Sequence, residues 1–114
     1  MEDCIFCKIV AGEVPCAKVF ENDKILAFRD IQPQAKVHVL IVPKRHVADI
    51  VELAGLRNGL MANIAEAAAQ IAHAEGVDKS GFRLVTNCGP DAQQTVGHLH
   101  FHLMGGEKLS ERMA

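Results

Sequence analysis

Short apolar runs separated by turn-forming residues dominate the first half of the chain. The runs Lys18–Glu21 and Ile25–Arg29 are separated by Asn22-Asp23, a pair common in tight turns, which predicts a hairpin of two strands. Residues 37–42 form a β-branched apolar run in which His38 is the polar exception. Such a run predicts a buried strand.

The second half of the chain combines a helical pattern with two more strand-like runs. From residue 56 to residue 74, apolar residues recur every three or four positions until a glycine supplies the stop, which predicts one long helix. Residues 82–86 and 98–104 predict strands, with a polar loop over 87–97 between them. The predicted fold class is α+β, and the residues after Gly106 are expected to form a loosely attached tail.

Length and charge exclude several classes of function. The 114 residues suffice for one core, so residues 1–114 are expected to form a single domain. Lys and Arg total 12 against 14 Asp and Glu, a net charge of −2, which argues against nucleic-acid polymers as partners. No apolar run approaches the roughly 18 residues that cross a bilayer, and the start, Met1-Glu2-Asp3-Cys4, is acidic where a secretory leader is basic. We therefore expect no membrane association and a cytoplasmic location.

Three histidines alternate with apolar residues between positions 98 and 102. In a strand, His98, His100 and His102 share one face, while Leu99 and Phe101 point into the core. One such histidine is unremarkable, but three in register indicate chemistry, because histidine is a poor choice for a face that is merely solvated. Either one imidazole attacks an electrophile such as phosphorus, or the row jointly holds a metal with an open position for water.

The neighbours of the histidine row favour the nucleophile. Gln94 and Thr95 supply an amide and a hydroxyl that can donate to phosphate oxygens or to a leaving group, and Asn87 ends the preceding strand. A metal site of the two-His, one-carboxylate type needs a local acidic residue. The nearest, Asp91, lies in the loop.

Two segments in this order resemble the histidine-triad (HIT) family of nucleotidyl hydrolases and transferases, specifically its Hint branch. Residues 94–106 (QTVGHLHFHLMGG) resemble the family signature, and residues 28–35 (FRDIQPQA) resemble its ribose-binding segment. The resemblance implies a HIT-like fold, with an antiparallel sheet of about five strands, one main helix and short helical segments. It also implies a homodimer.

The resemblance assigns roles to the polar residues around the triad. It makes His100 the nucleophile that takes up the nucleoside monophosphate on its outward ring nitrogen, while His102 contacts the phosphate. It makes Thr95 an aid to the leaving group and puts Asn87, Gln94 and His38 on the phosphate and leaving-group side.

The nucleoside of a purine nucleotide has its own set of residues under the same resemblance. Asp30 accepts from both ribose hydroxyls, which distinguishes ribonucleotides from deoxyribonucleotides. The residues that match the apolar base cleft are Ile5, Phe6, Ile9, Phe28, Ile31 and Leu40. For Ile9 and Leu40, a place in the ordinary core explains an apolar residue equally well.

The four cysteines raise the question of a metal. Cys4 and Cys7 have the spacing at which two thiolates bind one Zn²⁺, and a tetrahedral site needs two more ligands. His46 and His98 are candidates, and the resemblance selects the same pair, which predicts a structural Zn²⁺. A redox pair is disfavoured because such a motif opens a helix after a strand; two unligated cysteines remain an alternative. The remaining cysteines, at positions 16 and 88, are interpreted as fillers.

The resemblance implies a hydrolase of purine nucleoside 5′-phosphoramidates, AMP- or GMP-linked, that works through a covalent nucleotidyl-histidine intermediate and requires no catalytic metal. His102 favours a hydrolase, because transferase relatives carry Gln at that position. The chain departs from the branch's pattern at Gln93, which stands where a glycine is often found. The alternatives are a metal-dependent hydrolase built on the row of His98, His100 and His102, and a nucleotide-sensing module without significant turnover.

Overall fold

The computed structural model describes residues 3–112, so Met1 and Glu2 of the acidic start, and the last two residues, lie outside the described part. This described part forms one five-stranded antiparallel sheet and three helices. The strands are β1 (Lys18–Glu21), β2 (Ile25–Arg29), β3 (Val37–Pro43), β4 (Phe82–Val85) and β5 (Phe101–Gly105), in the spatial order β1-β2-β3-β5-β4. The helices are α1 (Ile5–Val10), α2 (Ile50–Leu56) and α3 (Leu60–Ala74). The predicted α+β class and the sheet of about five strands are confirmed.

The predicted hairpin is confirmed. The side-chain oxygen of Asn22 accepts hydrogen bonds from the backbone N–H groups of Lys24 and Ile25, at 2.9 and 2.8 Å, and closes the turn between β1 and β2. Such an Asx turn reproduces a backbone turn with a side-chain acceptor. Asn22, the residue that predicted the turn, is therefore also the residue that closes it.

The central strand, β3, is buried on both faces, which explains its unbroken apolar run. Val39 and Ile41 face the core under α3, where Ile64 and Ile71 are almost wholly buried. The alternate residues of β3 face a second, smaller cluster that contains Phe6 of α1 and Phe28 of β2 together with Leu26, Leu40 and Val42. The second cluster lies on the sheet face that carries the candidate site.

The prediction of one helix over 56–74 is wrong at its start. The structure has two helices, because Arg57 and Gly59 adopt left-handed backbone conformations, with φ of 49° and 77°, and reverse the chain direction. Asp49 caps α2 by accepting a hydrogen bond from the backbone N–H of Glu52. An acidic residue three positions before Glu52 is a helix-start signal that the sequence analysis missed.

The strand predicted over 98–104 begins only at Phe101, where β5 starts to pair with β3. Before it, the backbone N–H of Leu99 donates to the carbonyl of Val47 at 2.6 Å. Side chains nevertheless alternate as predicted: Leu99 and Phe101 pack in the core under α3, while His98 and His100 contact Phe6 on the other face.

The described part of the C-terminal segment, residues 107–112, contradicts the expectation of a loose tail. Arg83 donates from its guanidinium to the carbonyl of Ser110 at 2.7 Å, and the Glu107 carboxylate accepts from the backbone N–H of Lys36. These contacts attach the segment to the ends of β3 and β4. Among the described residues, no helix combines the length and the apolar character that spanning a membrane requires.

Candidate active site and metal centre

The ring of His100 is held by its own segment of backbone. Its Nδ1 atom lies 2.8 Å from the carbonyl oxygen of His98, and because a carbonyl only accepts, Nδ1 carries the proton. The Nε2 atom therefore carries the lone pair. The hydroxyl of Thr86 donates to the carbonyl of His100 at 2.8 Å, which fixes this backbone from the side of β4.

A chain of two hydrogen bonds fixes the tautomer of His102. The backbone N–H of Gln34 donates to Nδ1 of His38 at 2.9 Å, so the proton of a neutral His38 lies on Nε2. That atom lies 2.9 Å from Nδ1 of His102 and donates to it. The remaining nitrogen of His102, Nε2, then bears a proton and is a hydrogen-bond donor.

Burial keeps the imidazoles of His102 and His38 neutral. Burial lowers the pKa of His102 to about 4, with smaller contributions from the nearby His100 and His38. Burial also lowers the pKa of His38, although the Asp30 carboxylate opposes this shift. At pH 7 His102 and His38 are therefore neutral rings in fixed tautomers instead of imidazolium ions.

The seven residues predicted for the base and the ribose are brought together around one cavity of about 430 Å³. Its lining comprises Ile5, Phe6, Ile9, Phe28, Asp30, Ile31 and Leu40, together with Pro15, Cys16, Ala17 and Arg29. The sequence analysis missed the segment 15–17, whose residues carry no motif. The ring of Phe6 joins the cavity to the triad, since its centroid lies 5.1 Å from that of His100.

Asp30 lies at the end of β2, between the cavity and the histidines. One carboxylate oxygen accepts from the backbone N–H of Gln32 at 2.8 Å, and the other lies 3.4 Å from Nε2 of His38. A carboxylate has about four acceptor positions, so two or more stay available to hydroxyl donors.

The loop that precedes the triad is braced by the side chain of Gln94. Its amide nitrogen donates to the carbonyls of Ala48 and Val96, and its amide oxygen accepts from the backbone N–H of Gly89. Both kinds of polar atom in this side chain are therefore used within the fold. Gln94 therefore holds the loop, and its predicted place on the phosphate side of the site stays a prediction.

Thr95 and Asn87 differ in their surroundings. Thr95 is exposed and lines a second cavity of about 430 Å³ together with Asp3, Cys4, Ile5, His46, Val96 and Gly97. Because Ile5 lines both cavities, the second is a neighbour of the first. Asn87 is half-buried and follows Thr86, the residue that bonds the His100 carbonyl.

The four residues predicted to hold a metal converge. Ligand atoms of Cys4, Cys7, His46 and His98 all lie within 4.8 Å of one another. The Sγ atom of Cys7 is 3.1 Å from Nδ1 of His46, and the Sγ atom of Cys4 is 3.3 Å from Nδ1 of His98. A tetrahedral Zn²⁺ with ordinary bond lengths separates sulfur from nitrogen by about 3.5 Å. The distances therefore fit zinc with little movement.

Two further features fit a metal. Nε2 of His98 lies 2.9 Å from the carbonyl oxygen of Pro43 and donates to it, which directs the Nδ1 lone pair at the thiols, as outer partners of metal-bound histidines do. Burial and the neighbouring Cys4 thiol raise the pKa of Cys7 to about 11, so a cation is needed for both thiolates to form.

The alternative of a metal held by the whole histidine row is wrong in its ligand set. His98 points at the thiols and at Pro43, away from the other two rings, and Nδ1 of His100 is occupied by a carbonyl. A different group converges among the described residues: Asp30, His38 and His102. The sequence analysis missed this carboxylate because it comes from β2, far from the triad along the chain.

Comparisons with known proteins agree with this fold. The HIT domain family matches residues 11–109. The purine nucleoside phosphoramidase of Escherichia coli K12 is 36% identical and covers 99% of this chain and 95% of its own length. The 14 kDa zinc-binding protein of Brassica juncea is 43% identical over 95% of this chain and 96% of that protein. A HIT family hydrolase structure from Legionella pneumophila Philadelphia 1 is 47% identical, with a TM-score of 0.91 over 96% of this chain and 97% of that one.

The strand order, and a histidine triad beside an apolar cavity, are features of the HIT family of nucleotide-binding proteins and hydrolases. The chain belongs to the HIT family.

Proposed function

We propose that this protein cleaves purine nucleoside 5′-phosphoramidates, AMP- or GMP-linked, through a covalent nucleotidyl-histidine intermediate on His100. The observation that carries the proposal is the hydrogen bond from Nδ1 of His100 to the carbonyl of His98, because it leaves the Nε2 lone pair free as a nucleophile. The name of the Escherichia coli relative supports the substrate class.

The reaction proceeds in two displacements at the α-phosphorus. In the first, Nε2 of His100 bonds to phosphorus while the P–N bond breaks, and the electron pair leaves with the amine, which takes up a proton from solvent through the Thr95 hydroxyl. In the second, water attacks phosphorus and loses a proton to solvent, the bond to His100 breaks, and the ring regains its lone pair as the nucleotide departs. The exposure of Thr95 on the second cavity supports this role.

Neutral His102 stabilises the transition state. Its Nε2–H donates to a phosphate oxygen, where negative charge increases as phosphorus becomes five-coordinate. The low pKa of His102, about 4, supports this role, because the ring stays in one protonation state across the neutral range. No step requires a catalytic metal.

The apolar cavity takes the purine and Asp30 takes the ribose. Apolar walls carry few directional groups, so AMP and GMP are both accepted. The free acceptor positions of the Asp30 carboxylate support a contact with two ribose hydroxyls.

We further propose a structural Zn²⁺ on Cys4, Cys7, His46 and His98, supported by their spacing and by the name of the Brassica relative. Bound zinc would neutralise the thiolates and cross-link the N-terminal segment to the triad segment. Spectra of the Co²⁺-substituted protein test the site, since thiolate ligation adds charge-transfer absorption that Cys7→Ser weakens.

A homodimer is the third part of the proposal. β4 lies at the edge of the sheet and exposes the large apolar side chains of Phe82 and Leu84. An open edge with apolar side chains favours pairing with a second copy about a two-fold axis.

The activity proposal is tested with an adenosine phosphoramidate, in the presence and absence of a chelator. At saturating substrate we expect AMP release that survives chelation, provided circular dichroism reports an intact fold, and that is lost in His100→Ala but retained in the control His73→Ala, which changes an exposed histidine. Loss of activity on chelation at saturating substrate, with the fold intact, would favour a metal on Asp30, His38 and His102. Binding of AMP without turnover would favour a nucleotide sensor.

A further inference from the structure

The short helix α1 contributes residues to the proposed metal site and also to the wall of the apolar cavity. α1 spans six residues, Ile5–Val10, with Cys4 at its N-cap and Cys7 in its first turns. Three of its residues, Ile5, Phe6 and Ile9, line the cavity that the proposed function assigns to the purine. A change in how this helix is attached therefore changes the nucleotide site directly.

The attachment of α1 to the rest of the fold is sparse. Within residues 3–112, the backbone hydrogen bonds of the segment 4–14 all stay inside that segment. Among these described residues, the polar links from the segment to the body of the protein are those from Cys4 and Cys7 to His46 and His98. A six-residue helix is unstable on its own, so its position depends on these links and on apolar packing.

The apolar packing is centred on Phe6, which stands between the two cysteines. Its ring meets the rings of His98 and His100 edge to face, with centroids 5.9 and 5.1 Å away, and that of Phe28 at 5.7 Å. Phe6 thus touches a metal ligand, the nucleophile and the opposite wall of the cleft. His98 adds a second connection, since its side chain faces the thiols and its carbonyl holds Nδ1 of His100.

We infer that metal occupancy of the Cys4, Cys7, His46 and His98 cluster and nucleotide binding are thermodynamically coupled, with Phe6 as the positioning residue. A metal holds α1 against the sheet and keeps Phe6 in the cleft wall. A purine stacked in the cleft holds α1 in the same position and so preserves the metal ligand set. The inference rests on the proposed nucleotide and zinc sites and adds a regulation of the first by the second.

Linkage makes the effect reciprocal: the factor by which Zn²⁺ tightens AMP binding equals the factor by which AMP tightens Zn²⁺ binding. Coupling between sites in proteins is commonly about 5- to 150-fold, and we expect a value in that range. The physical origin is an ordering equilibrium of one segment that both ligands favour.

Calorimetry with AMP on the full chain tests the coupling in zinc-loaded and zinc-free protein. We expect AMP affinity to fall at least about 5-fold on zinc removal. A competing chromophoric chelator then measures Zn²⁺ affinity with and without AMP, and the two factors must agree. Hydrogen exchange should slow in residues 4–14 when either ligand binds.

Variants separate Phe6 from the rest of the helix. Phe6→Leu, which keeps an apolar side chain, should bind Zn²⁺ and lose most of the coupling, whereas Lys8→Ala on the same helix should keep it. If either variant fails to fold, the AMP affinities of the zinc-loaded and zinc-free wild-type protein still test the inference.

Equal AMP affinities for folded zinc-loaded and zinc-free protein would overturn the inference and leave the proposed function intact. Failure to bind Zn²⁺ would overturn the inference and the metal site together. Failure to bind AMP in either form would instead overturn the proposed function, on which the inference depends.

Discussion

Nε2 of His38 lies 2.9 Å from Nδ1 of His102, and this contact sets which nitrogen of His102 bears a proton. Nδ1 of His38 itself accepts a hydrogen bond from the backbone N–H of Gln34, so the tautomer of His38 is fixed by the loop after β2. The loop that carries the ribose-binding candidate Asp30 is thereby connected to the phosphate side of the site.

Removing the donor at position 38 should slow catalysis. His38→Met deletes the hydrogen bond to His102, and because a buried partner left unpaired costs about 1–3 kcal/mol, we expect kcat on an adenosine phosphoramidate to fall about 10- to 100-fold. His38→Gln keeps an N–H at a similar reach and should restore most of the rate. Nitrogen-15 shifts of His102 should report the Nε2–H tautomer in the wild type and a mixture in the Met variant; an unchanged tautomer would refute this role.

Acid should destabilise the folded state through His102. Its pKa is lowered by burial from 6.5 to about 4, so between these values the unfolded chain binds more protons than the folded one. Stability is therefore full above pH 6.5 and falls toward pH 4, with a slope of up to about 1.4 kcal/mol per pH unit for one proton. His102→Gln should remove up to one proton from that slope in urea titrations at several pH values. An identical slope in the variant would contradict the assignment.

Gln93 occupies a backbone conformation that suits glycine. Its φ is 58° and its side chain is exposed, so strain is present without a compensating contact. Gln93→Gly should raise the free energy of unfolding by about 0.5–1 kcal/mol, because the backbone strain that it relieves exceeds the entropy cost of fixing a glycine. The matched control, Gln70→Gly on the exposed face of α3, should lower it by about 1 kcal/mol, as measured by urea denaturation.

Gln94 should act through the loop and not through substrate binding. Gln94→Leu removes the bonds to Gly89, Ala48 and Val96, and we expect a loss of about 1–3 kcal/mol in stability with faster hydrogen exchange across residues 87–97. kcat should fall because Thr95 and the triad lose their support. A normal exchange rate together with a raised KM would instead indicate direct contact with substrate.

Charge on the open sheet edge should prevent dimerisation. Leu84→Asp places a carboxylate on the exposed face of β4 and should give a monomer by light scattering at concentrations where the wild type is a dimer. Val51→Asp, at an equally apolar and more exposed position on α2, should leave the dimer unchanged. A monomeric wild type, or a dimer that survives in Leu84→Asp, would refute the edge interface.

Local patterns predicted the elements better than their ends. The β1–β2 turn was predictable because one side chain, Asn22, makes it. The break between α2 and α3 was not, because Leu56 and Leu60 are four residues apart and keep the helical period in phase across the turn. The start of β5 depends on where its pairing with β3 stops, and the residues around His98 carry no local signal of that point.

The site was predictable where a motif is continuous along the chain. The Cys4, Cys7 spacing and the histidine row each lie within a few residues, and the structure brings their side chains into the expected groups. The cluster of Asp30, His38 and His102 was missed because its members come from three different strands or strand ends. Only the strand order β2-β3-β5 makes them neighbours.

The central claim is that His100 carries the nucleotide during turnover. The most direct measurement is mass spectrometry of wild-type protein mixed with an adenosine phosphoramidate and quenched with alkali within a single turnover, since alkali spares a bond between phosphorus and imidazole. We expect an adenylyl group on the peptide that contains residues 98–102, located on His100 and absent from His100→Ala. AMP release at the full rate with no adduct at any time, or from the His100→Ala variant, would contradict the mechanism.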